Sequence, residues 1–364
     1  MLPLSRPFPH ALRKTGPIQA SVPRVVALGG GTGLPNVLRG LRPLLYGDDR
    51  DRTAPRDRLV AVVATSDDGG SSGRLRAEFN IVPPGDIRNC LAALSDNHAL
   101  IADIFQYRFD AGEGLNGHAI GNLVLAALAD VTNDFARAVE IAARVVGARG
   151  TVLPATPEMV TLVAEFEDGR IVSGETAISA GGGRIRRLSL LPERPSSVPE
   201  TTDTLLKADL VVAGPGSLYT SILPPLLVPD IRDAMHRTRA TRIFVANLMT
   251  EPGETDDYSA LDQILAIERH LEAQLFDCVI YNTSPVPESL AKAYAIGGAK
   301  PVITSTFELA ALERLGIRPI GVPLVSEHPV GKIRHHPDRL AAALIAMAHG
   351  KLGTWRGRVE AGGI

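Results

Sequence analysis

Cysteine is scarce in this chain. Its 364 residues include two, Cys90 and Cys278, each set in an apolar stretch, which excludes a disulfide framework and a cysteine-rich zinc site. Excess charge of either sign is also missing. The formal net charge is −2, so nonspecific attachment to nucleic acid or to an anionic membrane surface has no electrostatic basis. No uninterrupted apolar stretch reaches the roughly 18 residues that span a bilayer, and the first 22 residues lack a signal-peptide core. A cytoplasmic protein without an integral membrane segment is the expectation. No internal repeat is evident, and no Ser-His-Asp order or glycine-flanked nucleophilic serine is convincing.

What is present suits a large α/β fold. At 45% hydrophobic and 21% charged residues, a chain of this length buries a substantial core. Short β-branched runs alternate with helical stretches, the signature of a parallel sheet covered on both faces. Strands are expected near Arg24 to Leu28, Leu59 to Thr65, Leu210 to Ala213, Arg242 to Ala246, Cys278 to Tyr281 and Pro319 to Val325. The expected fold class is α/β, Rossmann-like and doubly wound, with a mostly parallel sheet and helical additions. Alternation over Met159 to Phe166, the turn Glu167-Asp168-Gly169-Arg170 and the run Ile171 to Ile178 predict a β-hairpin. The expected layout is a flexible leader over 1–22, an α/β domain over 23–336 with an antiparallel elaboration at 150–187, and a C-terminal part, 337–364. That last part holds an apolar helix or association surface, Leu340 to Met347, and a glycine-rich tail with Trp355. The segments 47–58 and 192–199 are expected to be exposed loops.

Chemistry-bearing residues cluster after the strands. Gly29-Gly30-Gly31-Thr32-Gly33 follows an apolar run, and such a turn brings backbone close to an anion at a helix N-terminus; Gly30, Gly31, Thr32 and Gly33 are its candidates. After the second strand come Thr65-Ser66-Asp67-Asp68-Gly69-Gly70-Ser71-Ser72-Gly73-Arg74 and Pro83-Pro84-Gly85-Asp86-Ile87-Arg88-Asn89. Asp67 and Asp68 are candidate Mg²⁺ ligands, while Ser71, Ser72, Arg74, Asp86, Arg88 and Asn89 are candidates for the phosphate region. Asp86 serves equally well as an N-cap or as a partner of Arg88. His118 and Asn122 stand at another helix entrance, where they either bond a phosphate or sugar hydroxyl or complete a cap. Gly214, Gly216 and Ser217 form a second glycine turn suited to a phosphate or the base. Asn247, Thr250 and Glu251 belong to a strand-end loop that either lines the pocket or caps a helix. Gly181-Gly182-Gly183-Arg184 follows the hairpin and is expected to be a plain turn. His335 and His336 are adjacent, do not share a helix face, and are expected at the surface.

GGGTGLPNVLRGL, SDDGGSSGRLR, PPGDIRNCLAAL, HAIGNLVLAAL and GPGSLYTSILPPLLV, in this order, resemble the YvcK family of bacterial gluconeogenesis-factor proteins, from about Arg24 to about His336. That family is similar in fold to the CofD transferases, which move a phospholactyl group from a guanosine-linked donor to a deazaflavin precursor. The resemblance implies a cytoplasmic UDP-sugar-binding protein, with UDP-N-acetylglucosamine the usual ligand, needed for cell shape and wall synthesis on gluconeogenic carbon sources. It attaches no enzymatic reaction to this branch. The chain also departs from the transferases, which usually carry serine-asparagine-proline after the Gly-Pro pair, where Gly216-Ser217-Leu218 stands here.

Two functions fit these residues. One is a UDP-sugar-binding regulator with no obligatory cofactor, whose nucleotide brings Mg²⁺ with it. The other is a CofD-like transferase, in which Asp67 or Asp68 holds Mg²⁺ on the diphosphate and Arg74 and Arg88 stabilise developing charge. A nicotinamide dehydrogenase is disfavoured, because no acidic residue ends a second strand about 20 residues after the glycine turn. Expected partners are a UDP-sugar, further copies of the chain and a protein of cell-wall synthesis, with no nucleic acid.

Overall fold

The computed structural model describes residues 22–47, 53–95, 100–328 and 331–350. Nearly all of the leader, Asp48 to Arg52 in the charged segment and the tail with Trp355 lie outside them.

Strands β1 (Val25–Gly29), β2 (Leu59–Val63) and β3 (Thr151–Pro154) run along one half of a central sheet. A small antiparallel sheet follows, with β4 (Thr161–Phe166) between β5 (Ile171–Ser173) and β6 (Ile185–Leu191). The chain then returns to the central sheet with β7 (Leu210–Ala213), β8 (Thr241–Val245), β9 (Cys278–Asn282) and β10 (Arg318–Val322). The strand order is β10-β9-β8-β7-β1-β2-β3, and every pair is parallel. An antiparallel ribbon, β11 (Val325–His328) and β12 (Lys332–His335), completes the strands.

Doubly wound topology follows from that order. The chain proceeds outward from β1 to β3, then restarts at β7 on the other side of β1, so the direction of winding reverses between β1 and β7. Crevices at such a reversal, beyond the carboxyl ends of the strands, are where open α/β sheets bind ligands.

Strand periodicity explains the two cores. Val25 and Ala27 of β1, with Leu59, Ala61 and Val63 of β2, face one buried cluster; Val26, Leu28, Val60 and Val62 face the other. Side chains on a strand alternate between faces, so continuous apolar runs are what a sheet covered on both sides requires. Helix α1 (Gly33–Tyr46) covers the first face with Leu34, Val37, Leu38, Leu41 and Leu45, spaced as one helical stripe. The closing helix Pro337–Ala348 packs directly on α1 and buries Leu340, Leu344 and Met347. A Cβ on Gly40 would stand 2.3 Å from the Pro337 carbonyl oxygen, so glycine permits this approach. This apolar helix is thus part of the core rather than an association surface.

Several expectations are corrected. Thr151–Pro154 belongs to the central sheet, pairing parallel with β2, so the antiparallel part begins later and extends to Leu191. The strand expected over Ile171 to Ile178 ends at Ser173. Gly174 turns at φ 97°, and helix α7 (Glu175–Gly181) begins because Asp68 Oδ1 accepts from the Thr176 amide at 2.9 Å and its hydroxyl at 2.7 Å. Within the proline-rich segment, Pro195, Ser197 and Val198 are buried. His335 is buried as well, held through Nε2 to the Ala246 carbonyl at 3.0 Å; burial pushes its pKa down to about 4, so it stays neutral.

Candidate functional site

Both glycine turns meet at the reversal point. Gly214 N–H donates to the Leu28 carbonyl at 3.0 Å, and a Cβ added to Gly33 would stand 1.9 Å from the Pro215 carbonyl oxygen. Backbone cannot yield to such an overlap. Gly33→Ala is therefore expected to lower stability by about 2 kcal/mol or more, as measured by denaturant melts, and to separate the two turns. Gly31 sits at φ 59°, a conformation that costs other residues roughly 1–2 kcal/mol.

Further helices begin at this same sheet edge: α2 (Gly70–Phe79), α3 (Gly85–Leu94) and, after α4 (Leu100–Gln106), α5 (Ile120–Thr132). The residues at their N-caps and at that of α1 make no side-chain capping bond. By contrast, Asp134 caps α6 (Phe135–Val145), and the helices from Ala260 and Thr306 carry full capping boxes. Helix starts without such caps leave N–H groups for an anion.

Asp86 does not cap its own helix. Its Oδ2 reaches across to accept from Gly31 N–H at 2.6 Å, tying the first glycine turn to α3. It makes no ion pair with Arg88 within salt-bridge distance. Instead Arg88, 6% exposed, donates through Nη2 to Asn89 Oδ1 at 2.7 Å and leaves Nε and Nη1 buried without a partner. Burial, reinforced by Arg108, pushes its pKa down to about 10. A buried guanidinium with two unused donors is an incomplete anion site.

The carboxylates of the site repel one another. Asp86 is pushed up to about 6 by burial, with Asp67 adding to the effect, and Glu175 is pushed up to about 9 by burial, then Asp67, Asp86 and Asp68. Glu175 was not legible as a site residue, because α7 brings it there from beyond β5. Asp68 spends its Oδ1 on α7 and so differs from Asp67, whose Oδ1 accepts from Gly69 N–H at 2.9 Å and whose Oδ2 has no hydrogen bond among the described residues. No three His, Cys, Asp or Glu residues among those described are grouped to hold a metal ion.

Ser71, His118 and Asn122 are joined although the chain separates them widely. Ser71 Oγ lies 2.9 Å from His118 Nδ1 and accepts from Asn122 Nδ2 at 3.0 Å. Ser72 packs beneath Gly85, where a Cβ would come 2.3 Å from its Oγ. Arg74 donates to the Asn116 carbonyl at 2.7 Å, holding the His118 loop while remaining exposed.

The second turn is supported from behind. Asn247 Oδ1 accepts from Gly216 N–H at 3.2 Å, and Ser217 Oγ donates to Glu254 at 3.0 Å. Glu251 is pushed up to about 7 by burial and by Glu254. Thr250 is buried, exchanging hydrogen bonds with the Lys300 backbone, so its position follows from that strand-like bridge.

Sequence reasoning missed Arg39 and Arg334. With Thr32, Pro35, Asn36 and Asn89 they line a cavity of about 210 Å³ beside the first glycine turn. Neither arginine has a carboxylate partner among the described residues. Asn36 Nδ2 donates to the His335 carbonyl at 2.5 Å, which together with buried His335 places Arg334 at the cavity. Arg39 on α1 and Arg334 on β12 lie far apart in the chain, so no local pattern joins them. A larger cavity, about 830 Å³, lies between α6 and β3, away from these groups; its Arg137 and Arg144 pair with Glu140.

Comparison with known proteins agrees with this architecture. The family model described as 2-phospho-L-lactate transferase CofD matches residues 25–325. The gluconeogenesis factor of Bacillus subtilis is 44% identical over 323 residues, covering 89% of this chain and 97% of its own. The putative gluconeogenesis factor of a Nostoc species is 45% identical over 325 residues, covering 89% and 68%. A crystal structure of a Bacillus halodurans protein superposes with a TM-score of 0.82 at 40% identity, covering 89% of this chain and 99% of that one. The chain belongs to the CofD family and, within it, to the gluconeogenesis-factor (YvcK) branch.

Proposed function

We propose that this protein binds a nucleoside-diphosphate sugar, UDP-N-acetylglucosamine foremost, and that occupancy shifts a conformation read by a partner in cell-wall synthesis in the cytoplasm. The observation that carries this reading is Arg88: a buried guanidinium with two unpartnered donors, set among helix N-termini without side-chain caps at the winding reversal. Folding alone gains nothing from such a group, whereas a diphosphate completes it. Arg39 and Arg334 extend the positive lining beyond Thr32.

Mg²⁺ enters this reading with the ligand. The ion commonly binds through one or two carboxylates plus substrate phosphates, and Asp67 offers a free oxygen for that role. Bound there, the ion would neutralise diphosphate charge and relieve the repulsion among Asp67, Asp86 and Glu175.

The test is calorimetric titration of the purified chain with UDP-N-acetylglucosamine, GDP and NAD, each with and without Mg²⁺. Selective binding of the UDP-sugar is the expected result; preference for GDP, with transfer of a phospholactyl-type group to an acceptor, would move the reading to a CofD-like transferase. Arg334→Ala is expected to weaken UDP-sugar binding about tenfold to a hundredfold, the worth of a charge-assisted hydrogen bond, without lowering the melting temperature.

A further inference from the structure

Ser71 and His118 have a geometry that binding alone does not use. Both are buried, at 5% and 4% exposure, and Oγ and Nδ1 stand 2.9 Å apart. Asn122 Nδ2 donates to Ser71 Oγ, and with His118 in its Nε2–H tautomer the serine hydroxyl donates to Nδ1. Arg74 and Arg108 anchor the His118 loop through the carbonyls of Asn116 and Gly117. Burial, with the charges of Arg74 and Arg108 outweighing that of Glu78, pushes the imidazole pKa down, which favours the neutral form that accepts a proton. Three further atoms lack partners, Asn122 Oδ1 and the Nε and Nη1 of Arg88, whose Cγ packs against Gly121 beside Asn122. A hydroxyl held against a neutral base, beside unused cationic donors and a helix start, is the arrangement that activates a nucleophile.

We propose that Ser71 and His118 form a nucleophile–base pair that cleaves the phosphoanhydride of the bound nucleoside-diphosphate sugar, so that the ligand clears its own signal. This rests on the nucleotide-sugar reading above. Ser71 Oγ attacks one phosphorus, its proton passing to His118 Nδ1. The bridging P–O bond breaks, its electron pair leaves on the departing phosphate, and His118 returns the proton to that oxygen. A phosphodiester on Ser71 remains. Water then attacks the same phosphorus, gives a proton to His118 Nδ1, and the P–Oγ bond breaks as Oγ recovers that proton. The sum is one anhydride and one water yielding two phosphate monoesters. Arg88 stabilises charge on the phosphorus oxygens, and Asn122 acts as a positioning residue on the serine.

The experiment incubates the full chain with UDP-N-acetylglucosamine and Mg²⁺, separates products by chromatography, and examines acid-quenched protein by mass spectrometry. Breakdown to UMP and sugar phosphate, with either nucleotidyl or sugar-phosphate mass on Ser71, is expected. Ser71→Ala is expected to abolish both, and His118→Gln to slow breakdown about 100-fold or more, each compared with the parent at ligand concentrations that calorimetry shows to saturate that variant. Binding without breakdown in the parent, or breakdown that persists in Ser71→Ala, would overturn the pair and leave the binding reading standing. Failure of the parent to bind any nucleotide sugar would overturn both. Ser71→Cys keeps a nucleophile at nearly the same volume; its retention of the adduct where Ser71→Ala loses it separates chemistry from folding.

Discussion

Arg88→Met is expected to reduce affinity for the nucleotide sugar at least about 100-fold while leaving the melting temperature at pH 6 unchanged or higher. Two features of one side chain give these opposite directions. In the free protein the guanidinium is buried with Nε and Nη1 unpartnered, so replacing it with an apolar chain of similar length removes a desolvation cost. Asp86 loses a neighbouring cation, but its own pKa lies near 6, and it takes up a proton where the measurement is made. With ligand present, the loss falls entirely on binding. Arg88→Lys keeps the charge without the planar fork and should recover only part of the affinity. Titration calorimetry and thermal melts on the same samples decide the matter: unchanged affinity with a lower melting temperature would make Arg88 a structural residue.

Ligand-free protein is expected to lose stability as pH rises from about 4 to about 9. Asp86 and Glu175 are pushed up to about 6 and about 9 in the folded state, above the ordinary carboxyl range that they regain on unfolding. Below that range both states hold the proton and neither group contributes. As pH rises, the unfolded chain ionises first, and stability falls until the folded-state values are passed. Glu175→Gln is expected to flatten the upper part of this curve, between pH 6 and 9, and Asp86→Asn the lower part. Each should raise stability at pH 8 by on the order of 1–2 kcal/mol, less than full displacement implies because both carboxyls keep partial solvent contact. Urea melts across pH measure this directly. Binding of Mg²⁺ with a diphosphate should release protons near pH 7, seen as a binding enthalpy that varies with the buffer's ionisation heat. A stability profile unchanged by both substitutions would remove the carboxylate cluster from the site.

The central strands were legible because each is a short apolar run bounded by polar turns, and burial on both faces demands such runs. β7 begins and ends where the alternation placed it, and β1, β8 and β9 differ only at their ends. Less regular pieces escaped. β3 is four residues with every second one half-buried, a pattern that a hairpin strand shares, and its parallel partner lies far back in the chain at β2. The helix at Glu175–Gly181 was hidden because its start depends on Asp68, more than a hundred residues earlier. His335 looked like surface because nothing nearby in sequence announces the Ala246 carbonyl that receives it.

By itself, the amino-acid sequence determined the α/β class, the glycine turns after the strands, and the residue types that a nucleotide site needs. These are local matters: periodicity, turn chemistry and the order of motifs along the chain. Tertiary structure decided which of those residues face one another. It joined Ser71 to His118, set Asp86 on Gly31 rather than on Arg88, diverted Asp68 to a helix start, and brought Glu175, Arg39 and Arg334 to the site. Pairings of that kind arise from strand order and helix packing, and only when the chain has folded around the reversal between β1 and β7 do their distances exist.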